Sequence, residues 1–453
     1  MLTEVLPWHW RSIPLKDRTG SAVFAALFLD ESIATLLESP TPVTALARYS
    51  ICAGAPRIIN GQTRCWTPGS GEIFSWLSEL IDQPHSPSNA PTDLPFTGGW
   101  LGWLGYEAAW DLEKLPALSP DPLPFPVAYW YEPANFAVLD HQTNLLHIAV
   151  TDPSQLEVSI AKLQIPDKIL ATQKSSASPQ ITYLTTAEQY QAAVHKVQEY
   201  IQAGDIYQAN LSVRFTTKIA ASGWEIYRRL QAINPSPFAS YWRTPWGEVA
   251  SCSPERLVDL HQDIASTRPI AGTRPRGADL ATDLLLEQEL LGNAKEIAEH
   301  IMLVDLERND LGKICTWGSV EVDELLQVER YSHVMHLVSN VRGKLAAKHS
   351  PIDLIAATFP GGTITGCPKL RCMEIIAELE LYPRNLFYGS CGYIDQRGHV
   401  DLNILIRTLL CQNGQLWGQV GAGIVADSDP SREWAESLQK AQAQLQAICN
   451  QND

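Results

Sequence analysis

Residues 359–369 read FPGGTITGCPK and run straight into LRCMEIIAELE, a stretch of helical character. Gly361 and Gly366 have the glycine spacing of a phosphate-cradling P-loop, so the first question is whether the chain carries a nucleotide fold. It does not, because Cys367-Pro368 follows Gly366 where that fold requires Lys and then Ser or Thr. Glycines and small hydroxyl residues leading into a helix, with Pro368 near its first position, still offer backbone N–H groups to an anion such as a carboxylate. A plain glycine-rich turn explains the same residues.

Outward from this loop, strand and helix signals come in clusters. Before it, FAVLDHQ (136–142), LLHIAVTD (145–152), ERLVDLHQ (255–262) and SVEVDELLQV (319–328) read as strands. After it come LFYGSCGYID (386–395), VDLNILIRTLL (400–410) and LWGQVGAGIVA (416–426). TTAEQYQAAVHKVQEYIQAGD (185–205) predicts a helix: Thr185 and Glu188 form a capping box, Tyr190, Val194, Val197 and Ile201 follow at helical spacing, and Gly204 supplies the stop. Further helices are predicted at 287–306, 367–380 and 431–448. Without strict βαβ alternation, this arrangement predicts an α+β fold with large antiparallel sheets. Polar, Pro- or Ser-rich stretches at 83–95 and 166–180 interrupt the pattern, and the second marks a linker: an N-terminal region at 1–165, a linker at 166–184 and a second region at 185–448.

The 453 residues carry 50 acidic against 34 basic side chains, a formal charge of −16 that repels nucleic acid and anionic membranes, so a small ligand is expected. No window of eighteen apolar residues exists, and the start lacks the character of a signal peptide, so a cytoplasmic protein is expected. Nine cysteines without a C-x-x-C pair read as reduced thiols.

Two pairs of glutamates draw attention. Glu296 and Glu299 share one helix face in NAKEIAEHIMLVDLERND, and Glu433 and Glu436 share another in SREWAESLQKAQAQL. Brought together, the two faces would make a hard-oxygen site suited to Mg2+; the plainer alternative is a solvated Glu436–Lys440 pair. Glu255, between Pro254 and a strand, reads alone as a surface charge. His336 reads as a satisfied core histidine. Arg407 interrupts an apolar strand and needs an anionic partner, and Gly421-Ala422-Gly423 would let a ligand approach the backbone closely.

Taken together, GDIYQANL (204–211), SPERL (253–257), RPIAGTRPRG (268–277), VDLERNDLG (304–312), YSHVMHLVS (331–339), FPGGTITGCPKLRCMEII, GYID, ILIRT and GAGIVADSDP (421–430) resemble, in order, the chorismate-utilising enzymes. That family includes the component I chains of anthranilate and aminodeoxychorismate synthases and the isochorismate and salicylate synthases. LLES (36–39), ARYS (47–50) and LPFTGGWLGWLGYE (94–107) extend the resemblance more loosely toward the N-terminus.

The resemblance implies two large sheets packed as a sandwich-like core with helices outside. It implies Mg2+ held by Glu299 and Glu436, supported by Glu296 and Glu433. Glu255 would be the acid that protonates the departing 4-hydroxyl, and His336 would orient the ring. Arg407, Tyr393, Thr273, Lys440 and the backbone of Gly421, Ala422 and Gly423 would bind the substrate carboxylates, with Thr363, Thr365 and Gly366 in the pocket wall. Gln208 stands where water-adding relatives carry a lysine, which implies amination by ammonia from a separate glutamine amidotransferase subunit. Leu37, Glu38, Ser39 and Ser50 resemble the walls of a tryptophan pocket.

The motifs divide between the two aminating branches. Ala271 replaces the lysine of the aminodeoxychorismate pattern PIKGT, and YSHVMHLVS also favours anthranilate synthase. GGTITG, QANL and NPSPFASYW (234–242) favour aminodeoxychorismate synthase component I, which is the expectation taken forward, with anthranilate synthase component I as the alternative.

Overall fold

The computed structural model describes residues 7–40, 47–83, 90–91, 94–165, 179–331 and 334–449. The alternating apolar runs pair into two large antiparallel sheets of twelve and ten strands. The larger runs from His9–Pro14 at one edge through Ala34–Glu38, Phe238–Thr244, Gly247–Ser253, Thr408–Gln412 and Gln415–Ile424 to Gln208–Lys218 near the other. The smaller includes Ile270–Pro275, Val334–Lys344, Arg256–His261, Val400–Asn403, Ser390–Asp395 and Gly99–Leu104.

Both sheets take strands from before and after the stretch predicted as a linker. Leu37 pairs with Ser240 in the larger sheet, and Leu101 pairs with Tyr393 in the smaller. Most of that stretch, 166–178, lies outside the described residues, as do Ser332 and His333 of the YSHVMHLVS motif.

Between the sheets the core is strongly aromatic. Phe136 and Trp242 from the larger sheet meet Trp100, Trp103 and Tyr129 from the smaller, and Trp103 contacts Trp242 edge-on at 5.8 Å between ring centroids. Each such fully buried ring contributes about 2–3 kcal/mol of hydrophobic stabilisation. The outer face of the larger sheet is covered by Gly20–Leu27, Gly223–Ile233 and Gln442–Cys449. Leu290, from the helix Leu280–Gly292, packs on Met335 and Leu337 of the smaller sheet.

Several helix boundaries differ from the sequence reading for local reasons. The cap of Ala187–Gln202 is Thr186, not Thr185, and its reciprocal partner is Gln189. The predicted 287–306 helix is two, Leu280–Gly292 and Ala294–Gly312, because the Asn293 side chain accepts from the N–H groups of Lys295 and Glu296 and opens a new helix. The 431–448 stretch likewise splits into Pro430–Lys440 and Gln442–Cys449. All nine cysteines are free, and no helix of the described residues is long and apolar enough to cross a membrane.

Candidate active site

Glu255 is not a surface charge. It lies at the start of Arg256–His261, 5% exposed, and burial pushes its carboxyl up to about 7. Thr363 and the backbone of Ile270 oppose that shift. Thr363 is close enough to weigh on the carboxyl, yet among the described residues neither its Oγ1 nor Oε1 of Glu255 has a hydrogen-bond partner. A carboxyl with these properties holds its proton near neutrality and has a free oxygen to use it.

His336 and Thr273 face each other across neighbouring strands, with Nδ1 and Oγ1 2.9 Å apart. Burial, reinforced by the Arg407 charge, drops the imidazole to about 4, so it is neutral at physiological pH. Arg407 sits in the break between Val400–Asn403 and Thr408–Gln412 with φ of 53°. Its Nη1 donates to the Lys440 carbonyl, and among the described residues it forms no ion pair with a carboxylate. A half-buried guanidinium in this state has hydrogen-bond donors available for an anion.

The tyrosine that the structure brings to Arg407 is Tyr388, where sequence comparison points to Tyr393. The charges of Tyr388 and Arg407 influence each other, and the Tyr388 hydroxyl lies 2.9 Å from where a Cβ on Gly421 would stand. Tyr393 instead lines a separate cavity. Gly421 and Gly423 lie within Gln415–Ile424 and point to the cleft; a Cβ on Gly423 would meet Gln208 Nε2 at 2.3 Å and Glu299 Oε1 at 3.5 Å. The intervening Ala422 is turned into the core against Val194 and Ile375, so only its backbone is available.

Of the loop residues, Thr363 reaches the site. Thr365 is fully buried, and its hydroxyl donates to the carbonyl of Gly361 at 2.8 Å. Gly366, with φ of 132°, lies against the Gln208 carbonyl, which a Cβ would strike at 2.1 Å. Both help build the loop. Ala271 pairs with Leu337 beside a bulge at Gly272.

Glu299 and Glu436, from the two acidic helix faces, lie within electrostatic reach of each other. Gln208 Nε2 donates to Glu299 Oε1 at 2.9 Å, and burial raises the Glu299 carboxyl, with repulsion from Glu436 adding to it. Glu433 is raised by the same two causes. Glu436 also pairs with Lys440 at 2.8 Å, and Glu296 Oε1 pairs with Arg274 at 2.9 Å, leaving Glu296 Oε2 buried without a partner. Among the described residues no three carboxylate, His or Cys side chains converge as a closed metal cage. Glu299 and Glu433 each lie within electrostatic reach of Glu436, and carboxylate oxygens are the donor type a hard cation takes.

The other cavity, of about 340 Å3, opens between the two sheets. Leu37, Glu38, Phe238, Arg256, Tyr393 and Asp401 line it, whereas Ser39 and Ser50 do not. Arg256 binds Asp401 bidentately at 3.0 and 2.9 Å, and the Glu38 carboxylate accepts from Ser21, Tyr227 and Gln231, while among the described residues His399 Nδ1 in the same lining has no hydrogen-bond partner.

Sequence reading also missed Glu307, 7% exposed and within the electrostatic influence of Glu255. A signal existed, since Glu307 falls on the buried stripe of His300, Leu303, Val304 and Leu311 in Ala294–Gly312, where a carboxyl is out of place.

A family model described as chorismate binding enzyme matches residues 33–446. The anthranilate synthase component I-like protein of Synechocystis sp. is 60% identical over 99% of this chain and 93% of its own length. Aminodeoxychorismate synthase component 1 of Bacillus subtilis is 42% identical over 83% of this chain and 81% of its own. The crystal structure of anthranilate synthase component I from Streptococcus pneumoniae shares the fold with a TM-score of 0.78 and 30% identity, covering 89% of this chain and 93% of that one. The cleft around Glu255 and Arg407 thus sits in a chain whose likeness to these proteins runs almost end to end, and the chain belongs to the chorismate binding enzyme family.

Proposed function

We propose that the chain replaces the 4-hydroxyl of chorismate with ammonia, giving 4-amino-4-deoxychorismate. The observation that carries an organic-acid substrate is Arg407, a half-buried cation with no carboxylate partner among the described residues, near Tyr388 and the Gly421–Gly423 wall. A carboxylate of the substrate completes that guanidinium. Glu255, protonated up to about 7, gives its proton to the 4-oxygen as the C–O bond breaks, so that water leaves instead of hydroxide. Neutral His336, steadied by Thr273, donates or accepts a hydrogen bond at the ring without adding charge. Glu299 and Glu436, with Glu433 and Glu296 behind them, would hold Mg2+, which when bound supplies positive charge to a substrate carboxylate.

Gln208 offers an amide where water activation would call for a base, and its Oε1 is buried and unpartnered. That supports ammonia as the nucleophile, delivered by a glutamine amidotransferase subunit. Tryptophan, if it binds, would occupy the cavity beside Leu37 and Glu38.

Formation of anthranilate is the second reading. It is favoured by Ala271, which leaves no lysine at that strand position to form a covalent adduct, and by the anthranilate synthase names of relatives. Purified chain is incubated with chorismate, Mg2+ and ammonium, and the products are assayed with and without the lyase that releases 4-aminobenzoate. Release of 4-aminobenzoate only after the lyase is expected. Anthranilate fluorescence without the lyase selects the second reading, and unconsumed chorismate refutes amination altogether.

A further inference from the structure

A second arginine, sealed behind the wall of the cleft, takes no part in the reaction described so far. Arg384 is 1% exposed and grips the Glu380 carboxylate with Nε at 2.8 Å and Nη2 at 2.7 Å. Nη2 also donates to the Asn210 carbonyl at 2.7 Å, and Nη1 donates to the Ile364 carbonyl at 2.8 Å. The same guanidinium sits over two rings, its carbon 4.6 Å from the centroid of Tyr106 and 4.7 Å from that of Tyr388. One side chain therefore ties together the strand that carries Gln208, the loop residue next to Thr363, and Tyr388.

Tyr388 needs such a hold. In the turn over 385–388, Asn385 and Tyr388 have φ of 54° and 65°, the left-handed region that residues other than glycine enter at a cost. The start of the turn is fixed by the Glu107 carboxylate, which accepts from the N–H groups of Arg384 and Asn385 at 2.7 and 2.8 Å. Its end is fixed to the segment that carries Arg407. The Tyr388 N–H donates to the Leu405 carbonyl at 2.9 Å, and the Leu405 N–H donates to the Gly389 carbonyl at 2.8 Å. The Tyr388 hydroxyl lies against Gly421, whose carbonyl accepts from Lys440 Nζ at 3.3 Å, and the Lys440 carbonyl in turn accepts from Arg407. Arg384, Tyr388, Gly421, Lys440 and Arg407 thus form a continuous run of neighbours.

We infer that Arg384 is a positioning residue for the carboxylate-binding wall: by holding the ring and turn of Tyr388 it sets where Arg407 and the Gly421 wall meet the substrate. This rests on Arg407 receiving a carboxylate of chorismate. Planarity is the property that matters. A flat fork stacks on an aromatic face while its edge donates in several directions, whereas lysine would keep the charge opposite Glu380 and lose both the stack and the fork.

Calorimetry on the full chain measures chorismate binding to Arg384→Lys, Arg407→Lys and the double variant. Each single variant is expected to bind about tenfold more weakly, with kcat at saturating chorismate changed less than Kd. Because both act on one wall, the double variant is expected to fall well short of the roughly hundredfold loss that independent positions would give. Wild-type affinity in Arg384→Lys, or full multiplication in the double variant, overturns the positioning role, even where the unfolding midpoint has dropped; a lower midpoint alone is what a purely structural arginine would show. Wild-type affinity in Arg407→Lys would instead refute the carboxylate reading. Should Arg384→Lys not fold, Tyr106→Leu decides, since it removes one stacked ring and leaves Glu380 paired: chorismate binding about threefold weaker is expected, and an unchanged Kd overturns the inference.

Discussion

The cavity between the sheets and the cleft around Arg407 handle charge differently. In the cavity between the sheets, Arg256 is closed on Asp401 and Glu38 is saturated by Ser21, Tyr227 and Gln231. In the cleft, among the described residues, Arg407 has no carboxylate partner, and Glu255, Glu296 and Gln208 each hold an unpartnered buried oxygen. Burial is comparable, so desolvation alone does not separate them. The difference lies in whether the protein answers its own charges, and an unanswered set is where a substrate supplies what is missing.

The contrast can be broken most forcefully at Glu255. Glu255→Gln is expected to lower turnover by ~10²–10⁴-fold while chorismate binding, read by calorimetry, is nearly retained. Loss of binding instead would show that the carboxyl serves the fold. In the cavity, Arg256→Met leaves Asp401 buried and unpaired and is expected to destabilise the chain by about 3 kcal/mol in denaturant unfolding, with kcat unchanged. Because burial already raises the Asp401 carboxyl, protonation relieves the lone charge, and the loss is expected to shrink as pH falls. A stability loss that ignores pH would show that the pair is not what holds the cavity. The smallest effect is expected for Arg407→Lys, which keeps the charge but loses the planar fork and raises KM about tenfold. An unchanged KM would mean that the guanidinium is not the carboxylate receptor.

Much of the architecture was legible because it is written in local periodicity. The strands around FAVLDHQ and LLHIAVTD, the helix from Ala187 and the glycine strand ending at Ile424 all follow from alternation or helical spacing. Boundaries were lost where a single side chain decided them, as with Asn293, or where a strand broke to place a residue, as with Arg407. Glu255 was opaque because its burial comes from a loop more than a hundred residues later, which no local pattern records. Tyr388 and Tyr393 stand five residues apart in one strand-like run, but Tyr388 closes a turn over 385–388 with φ of 65° while Tyr393 lies in the strand Ser390–Asp395, and that break sends them to different spaces. Glu307 was legible in principle, as a carboxyl on an apolar stripe.

The interleaving of the sheets sets the order in which the molecule can come into being. Ala34–Glu38 must wait for Phe238–Thr244, and Gly99–Leu104 for Ser390–Asp395, before either strand has both of its neighbours. A ribosome therefore releases aromatic surface around Trp100 and Trp103 long before the strands that cover it exist. Contacts this distant in the chain make for slow assembly and prolonged exposure of sticky edges. The nascent N-terminal half is thus a natural client for chaperones, and the enzyme matures only once its last strands have left the tunnel.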